Sequence, residues 1–545
     1  MREKCVSREH LGVAPCREAC PAGIDVPRYI RRIREGKFDE ALAVIRERIP
    51  FPSICGCACY SPCETKCGNR QFGDPIAIRT LKRAAAERGG ELWKKNLTIA
   101  PATGKRIAII GSGPSGLTAA YYLATLGHAV TVLEALDQPG GMMRVGIPEY
   151  RLPREALEKE IGYLKEVGVE IKTNKRVDSV DELFRQGYHA VYLACGAHQG
   201  RKLGIQGENL ADVLDGISFL RAVNQKKAPG IGKRIAVVGG GNTAVDAARC
   251  AIRLGADEVT ILYRRSRAEM PAYEEEAGAA VVEGVMIEYL AMPTRIDQRD
   301  GALEVTAVRM NLGKPDASGR RIPIPVPDSE FRMQFDTVIV AIGQIADVSP
   351  SIGAPLSKDN LVKVNSETLA TERPGLFAGG DVVSGPASII EAIADGRRVA
   401  SSIDMFLGGT GRIDQELAPP EEEVVVMDYG ADEERRIAVP CIPLADRKRG
   451  FRPVELDVPA KLAVKEAERC ISCDARQFEV QVDSEACKEC GYCVEVCGLD
   501  VFESAGEFNK RGYKPILAAR KDKCIGCMLC FYACPDFSIE VSEKG

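Results

Sequence analysis

"KRIAIIGSGPSGLTAAYYLATLGHAVTVLE" (residues 105–134) reads as an apolar strand, a glycine turn, a helix and a second strand. Gly111, Gly113 and Gly116 follow the strand at G-x-G-x-x-G spacing and open the helix, and Glu134 ends the next strand, where a carboxylate suits a ribose hydroxyl. The glycines alone would be a weak signal, but this context makes the stretch a βαβ dinucleotide-binding unit. "KRIAVVGGGNTAVDAARCAIRLGADEVTILYRR" (233–265) repeats the pattern, with Gly239, Gly241, Asn242 and Thr243 at its turn. Its second strand ends in Tyr263, Arg264 and Arg265 instead of an acid. Paired guanidinium groups suit a 2′-phosphate, which favours NADP over NAD; a solvated surface pair is the competing reading. The expected fold class is α/β with two Rossmann-like domains.

At 545 residues the chain is too long for one core, and ~100–200 residues per domain gives three or four domains. The formal charge of −4 comes without a basic stripe, so no nucleic-acid partner is expected. The opening "MREKCVSREH" is charged with no apolar stretch behind it, and nowhere do ~18 apolar residues run uninterrupted. The expectation is a cytoplasmic chain with no membrane partner. Its twenty-one cysteines, without an export signal, read as metal ligands and not as disulfides. With four histidines, none of them in a motif, thiolate-bound iron is favoured over zinc or copper.

Most cysteines crowd into residues 5–67 and 470–534. In the second group Cys487, Cys490, Cys493 and Cys497 recur at identical spacing as Cys524, Cys527, Cys530 and Cys534, a duplicated C-x-x-C-x-x-C-x-x-x-C. This resembles a bacterial two-cluster ferredoxin. The resemblance implies one [4Fe–4S] cluster on Cys487, Cys490, Cys493 and Cys534, and another on Cys524, Cys527, Cys530 and Cys497. Pro535 follows Cys534 as that pattern expects, whereas Gly498 follows Cys497. Zinc is the rival metal, but its sites typically show two CxxC pairs.

Residues from about 10 to 410 resemble the small subunit of bacterial glutamate synthase and its relatives, among them the amino-terminal half of dihydropyrimidine dehydrogenase and the large subunit of NADH-dependent ferredoxin:NADP oxidoreductase. The matching segments are "CREACPAGIDVPRYI" (16–30), "QPGGMMRVGIPEYRLP" (138–153), "YRRSRAEMPA" (263–272) and "TERPGLFAGGDVVSGPASIIEAIADGRR" (371–398). The resemblance implies FAD between an NAD(P)H site and iron–sulfur clusters. It assigns Gly141, Arg144, Gly380, Asp381, Ser388 and Ile389 to the flavin, with Asp381 on the ribityl chain.

In that family a run like EARRCLKC precedes the first cluster domain; here its counterpart is "EAERCISC" (466–473), at the far side of the flavin domains. Carried over residue by residue, Cys470, Cys473, Cys16 and Cys67 hold one [4Fe–4S] cluster. Cys20, Cys59 and Cys63 hold a second, whose fourth ligand in relatives is a Gln or Glu where this chain has Lys82. Cys57 or Cys55 is the candidate replacement, with two buried, non-ligating thiols the competing reading. Bringing the ends together costs roughly 5 kcal/mol of loop closure, against about 10–16 kcal/mol from a structural metal site. The Cys470/Cys473 pair has two other readings: service to a second copy of the chain, or a redox-active dithiol.

The expected organisation is a helical [4Fe–4S] domain at 1–100, FAD-binding parts at 101–230 and 341–412 flanking an NAD(P)H domain at 231–340, a wrapping linker at 413–468 without regular structure, and at 469–545 the CxxC segment with an α+β ferredoxin domain. The expected function is an NAD(P)H-dependent iron–sulfur flavoprotein with FAD and four clusters, exchanging electrons with ferredoxin or a larger subunit such as a 2-oxoacid:ferredoxin oxidoreductase, as part of a hetero-oligomer. The alternative is a glutamate synthase small subunit. No acid–base or nucleophilic residue is needed, because the flavin itself converts electron pairs to single electrons. Cys195 reads as packing, since disulfide reductases place two cysteines near the first glycine turn.

Overall fold

A computed structural model describes residues 4–7, 11–316, 318–346, 348–426, 435–476 and 478–543. They form two compact units: Met1–Thr98 with Asp414–Pro440 and Asp457–Gly545, and Ile99–Ile413 with Cys441–Leu456.

The second unit holds two five-stranded parallel sheets. In the first, the order is Leu376–Ala378, Ala190–Leu193, Arg106–Ile110, Ala129–Leu133, Glu170–Lys172. The order reverses on either side of Arg106–Ile110, and that switch point is where open α/β sheets bind nucleotides. Strands covered by helices on both faces read as unbroken apolar runs, and Ile107–Ile110 are all buried. The second sheet repeats the plan with Met286–Tyr289, Glu258–Tyr263, Arg234–Val238, Thr337–Val340 and Val213–Asp215. An antiparallel sheet built on the long strand Ala302–Pro315 is inserted before its Thr337–Val340 strand. Ser388 and Glu391 form a capping box that starts the 18-residue helix Ile389–Phe406. That helix packs on Pro114–Thr125 so closely that a Cβ on Gly396 would lie 2.4 Å from the Ser115 carbonyl oxygen.

The first unit packs the helices Val26–Arg34, Phe38–Arg46, Pro52–Ala58 and Ile78–Arg88. The stretch expected to be an unstructured linker departs from that reading. Glu423–Val426 pairs antiparallel with Lys4–Ser7, and Ala460–Glu468 is a helix seated on Val26–Arg34 and Ile78–Arg88. Two of its three alanines, Ala463 and Ala467, are fully buried; small side chains at i and i+4 hide the apolar face from a pattern that looks for large residues. The fully buried Glu466 accepts from the Ala77 and Ile437 amides and from Arg469. The C-terminal module pairs Phe478–Val482 with Ile539–Glu543 and Phe502–Ser504 with Ile516–Ala518, around the short helices Tyr492–Val496 and Leu529–Ala533.

Arg31 ties the chain ends together. Buried at 2 % exposure, it bonds both oxygens of Glu421 and both of Asp474, the residue after Cys473. Burial opposes the Arg31 charge, but the two carboxylates hold its pKa above the ordinary range. The Gly12 amide donates to the Asp474 carbonyl at 2.7 Å. No helix among the described residues is long and apolar enough to cross a membrane.

Candidate nucleotide sites and thiol clusters

The two glycine turns share one geometry. A Cβ on Gly111 would fall 2.4 Å from the Ala194 carbonyl oxygen, and one on Gly239 would fall 2.2 Å from that of Ala341, so each first glycine allows the turn to pass the neighbouring strand. Gly116 lies under Gly111, whose carbonyl oxygen would be 2.1 Å from its Cβ. By contrast Gly113 and Gly241, the N-caps of twelve-residue helices with no side-chain cap, face open space. A helix amino end with an unobstructed glycine suits a pyrophosphate, so both turns fit a dinucleotide.

Glu134 is buried at the end of its strand, and its carboxylate accepts from the Ser112 amide, the Ser112 hydroxyl and the Leu136 amide. Three of its roughly four acceptor sites are filled, leaving one for a ribose hydroxyl. The "QPGG" turn folds onto this site: Gly140 donates to Ser112, and Gly141 sits at φ +51° with its would-be Cβ 2.8 Å from Gly113 Cα. Arg144 is committed inside that turn, to the Pro139 carbonyl, Gln138 and Glu158. At the second flavin segment Asp381 accepts from the Ala387 amide. Burial pushes its carboxyl up to about 6, with Glu391 and Asp395 adding to the rise. Ser388 and Ile389 open the long helix beside it. Gly380, at φ +70°, lies against Ser115 and donates its amide to Asp395.

At the second turn Asn242 accepts from the Tyr273 amide and Thr243 from Gln344, so both brace the loop. The arginine pair divides. Arg264 is exposed, whereas Arg265 is buried, donating to the Arg321 carbonyl and pairing with Asp316 at 3.0 Å. The alternation of side chains along an extended segment sends neighbours to opposite faces, so a pair in sequence is not a pair in space. Cys195 lies beside the Gly111 turn and packs against the sheet core, without a second cysteine nearby in sequence. His128 bridges Thr103 and Asp404, His189 accepts from the Arg106 amide, and His198 meets Arg221. His10 lies outside the described residues.

Sixteen of the twenty-one cysteines fall into four sets. One pocket is lined by Cys487, Cys490, Cys493 and Cys534, and another by Cys497, Cys524, Cys527 and Cys530. Backbone amides point at the sulfurs: Ile516 at Cys487 and Ser538 at Cys534, both 3.4 Å. In the N-terminal region burial holds the Cys16 thiol well above the ordinary range, and the thiols of Cys473, Cys67, Cys470 and Cys63 add to the rise. Burial likewise pushes Cys470 up to about 11. Four thiols cannot ionise together in such a place without a cation, and an iron–sulfur core supplies one; these groups fit that cofactor. Among the described residues no three His, Cys, Asp or Glu side chains are gathered for a single metal ion.

The fourth group is Cys20, Cys55, Cys59 and Cys63, the thiols that act on the buried Lys82 ammonium. Burial opposes its charge, and the thiols hold its pKa above the usual range. Cys55 and Cys59 are four residues apart, with the Cys59 amide donating to the Cys55 carbonyl, and share one face of the helix Pro52–Ala58. Cys57 lies on the opposite side, half-buried. Of the two candidates, Cys55 has the i, i+4 spacing to Cys59.

Comparison with known proteins agrees with this layout. Residues 105–396 match the pyridine nucleotide-disulphide oxidoreductase family, residues 3–92 match dihydropyrimidine dehydrogenase domain II with its 4Fe-4S cluster, and residues 486–538 match a 4Fe-4S dicluster domain. The chain is 42% identical over 84% of its length to the NADP(+)-dependent formate dehydrogenase subunit beta of Moorella thermoacetica, covering 70% of that protein. It is 39% identical over 84% of its length to the NADPH-Fe(3+) oxidoreductase subunit beta of Geobacter sulfurreducens, covering 75% of it. It is 32% identical over 74% of its length to the small chain of glutamate synthase [NADPH] of Escherichia coli, covering 90% of it. With its two nucleotide folds and its 4Fe-4S domains on either side of them, the chain belongs to the pyridine nucleotide-disulphide oxidoreductase family and is an oxidoreductase of FAD, pyridine nucleotide and [4Fe–4S] clusters.

Proposed function

We propose that this chain is the NADPH-linked electron-transfer subunit of a cytoplasmic hetero-oligomeric oxidoreductase, moving electrons between NADPH and a partner subunit or ferredoxin through FAD and four [4Fe–4S] clusters. One observation carries it. A Cβ on Gly68 would lie 2.7 Å from the Cys473 sulfur and 3.0 Å from Cδ1 of Ile525, the neighbour of Cys524. The first N-terminal thiol group and one ferredoxin cavity thus share a wall, as a continuous electron path requires. Gln71 lines that cavity too, with its amide 2.7 Å from where a Cβ of Gly498 would stand, which is why glycine follows Cys497.

When bound, FAD takes hydride as an electron pair and releases single electrons, the conversion that links a nicotinamide to iron–sulfur clusters. The chain's residues bind and insulate. Gly113 and Gly241 leave the helix ends open to pyrophosphates, Glu134 takes a ribose hydroxyl, Asp381 a ribityl hydroxyl, and Arg264 the 2′-phosphate that marks NADPH. The thiols of Cys487, Cys490, Cys493 and Cys534, and of Cys497, Cys524, Cys527 and Cys530, hold the two ferredoxin clusters. Cys16, Cys67, Cys470 and Cys473 hold the first N-terminal cluster, and Cys20, Cys59 and Cys63 belong to the second. The amides aimed at sulfur tune them.

Anaerobic mixing with NADPH and a viologen dye tests the reading: dye reduction that depends on flavin and iron is expected, and none would overturn it. The relatives named as beta subunits of a formate dehydrogenase and an NADPH-Fe(3+) oxidoreductase match over a larger share of this chain than the glutamate synthase small chain does. The ferredoxin module is also surplus to a glutamate synthase. Glutamate formation on adding a glutamate synthase large subunit would reverse that preference.

A further inference from the structure

We infer that Cys55 is the fourth ligand of the second N-terminal cluster and that the Lys82 ammonium is a built-in countercharge raising that cluster's reduction potential. This rests on the reading above, in which Cys20, Cys59 and Cys63 already bind iron. Three thiolates leave one iron of a cube without a protein ligand. The helix Pro52–Ala58 presents Cys55, with 0 % exposure, on the face that carries Cys59. Gly56 fixes how closely this helix meets Ile78–Arg88: a Cβ there would stand 2.7 Å from Arg83 Cα. The contact sits one residue from Cys55 on one helix and one from Lys82 on the other, and Cys55 is among the thiols that act on the ammonium.

Other donors are accounted for. An ammonium has no lone pair. Glu64, adjacent to Cys63, accepts from the Arg79 amide through one oxygen and from Arg436 through the other. Cys57 lies on the far side of the helix. Lys82 is 3 % exposed and has no carboxylate partner among the described residues; the groups that offset its charge are Cys59, Cys55, Cys63 and Cys20. A cluster held by four thiolates is anionic and gains negative charge on reduction, so a fixed cation beside it favours the reduced form. In the first group the cations that act on the thiols include Arg469, paired with Glu466, Arg31, paired with Glu421 and Asp474, and Arg476.

The test uses the full chain, reconstituted anaerobically, with iron and sulfide counts and potentiometric EPR. Cys55→Ser should lose about a quarter of the roughly sixteen irons, or show a three-iron signal, while Cys57→Ser keeps them all. Lys82→Gln should keep its iron and move one EPR signal alone to lower potential, and Lys82→Arg should restore it. A fully loaded Cys55→Ser with an unchanged spectrum, or iron loss in Cys57→Ser, would overturn the ligand assignment; an unmoved potential in loaded Lys82→Gln would overturn the countercharge. Should Cys55→Ser fail to accumulate, the Cys57→Ser and Lys82 arms still decide. If the wild-type chain holds only about eight irons, it is the underlying cluster reading that fails.

Discussion

At residue scale, specificity and flavin retention rest on single side chains with different surroundings. Arg264 is exposed and Arg265 is locked to Asp316. A charge-assisted hydrogen bond is worth about 1.5–3 kcal/mol, or roughly 10- to 100-fold. Arg264→Ala should therefore raise KM for NADPH by that factor with kcat nearly constant and NADH oxidation unchanged, as steady-state kinetics would show. Arg265→Ala should instead lower the melting temperature. Asp381 gives a pH prediction. In the free protein its carboxyl titrates near about 6, and a ribityl hydroxyl donates best to the ionised form. FAD affinity should be full above that pH and fall as pH drops through it, while Asp381→Asn should bind more weakly and flatten the profile; fluorescence titration of released flavin measures both. These roles were partly legible beforehand. Glu134 and Asp381 stand at fixed offsets from glycine turns, whereas the division between Arg264 and Arg265 depends on which side of the strand end meets the inserted sheet.

At the scale of elements, the helix Ala460–Glu468 and the CxxC that follows it are held by buried polar groups more than by apolar area. Breaking a buried ion pair by removing one partner costs about 3–5 kcal/mol, because the other charge is left without compensation. Arg31→Met strands both Glu421 and Asp474. It should destabilise the first unit by about that amount in chemical denaturation and lose the cluster on Cys16, Cys67, Cys470 and Cys473 while sparing the ferredoxin clusters. Glu466→Ala, which leaves the Ala77 and Ile437 amides without their acceptor, should do the same more mildly. Neither side chain was readable as structural in sequence. The partners of Arg31 and the Ala77 amide on Glu466 lie hundreds of positions away, and the alanine-rich face of the late helix offers small side chains only.

At the scale of the whole molecule, the chain divides into a nucleotide unit and a cluster unit, each assembled from separated stretches of sequence. Iron chelation should lower the first transition of a calorimetric scan and leave flavin bound, since no cysteine group described above lies in the nucleotide unit. Cys16→Ser and Cys470→Ser should remove the same EPR signal despite their separation in sequence; loss of different signals would break the proposed ligand set. What the sequence by itself determined was the chemistry of each segment: two glycine turns, a flavin segment and tandem cysteine runs are written in spacings of a few residues, and turn and helix geometry act over that range. What only the tertiary structure decided was which distant groups meet. The joining of the chain ends through Arg31 and the burial of Lys82 where Ile78–Arg88 packs on Pro52–Ala58 both follow from which helix faces pack together, a consequence of the fold of the entire chain that no local spacing specifies.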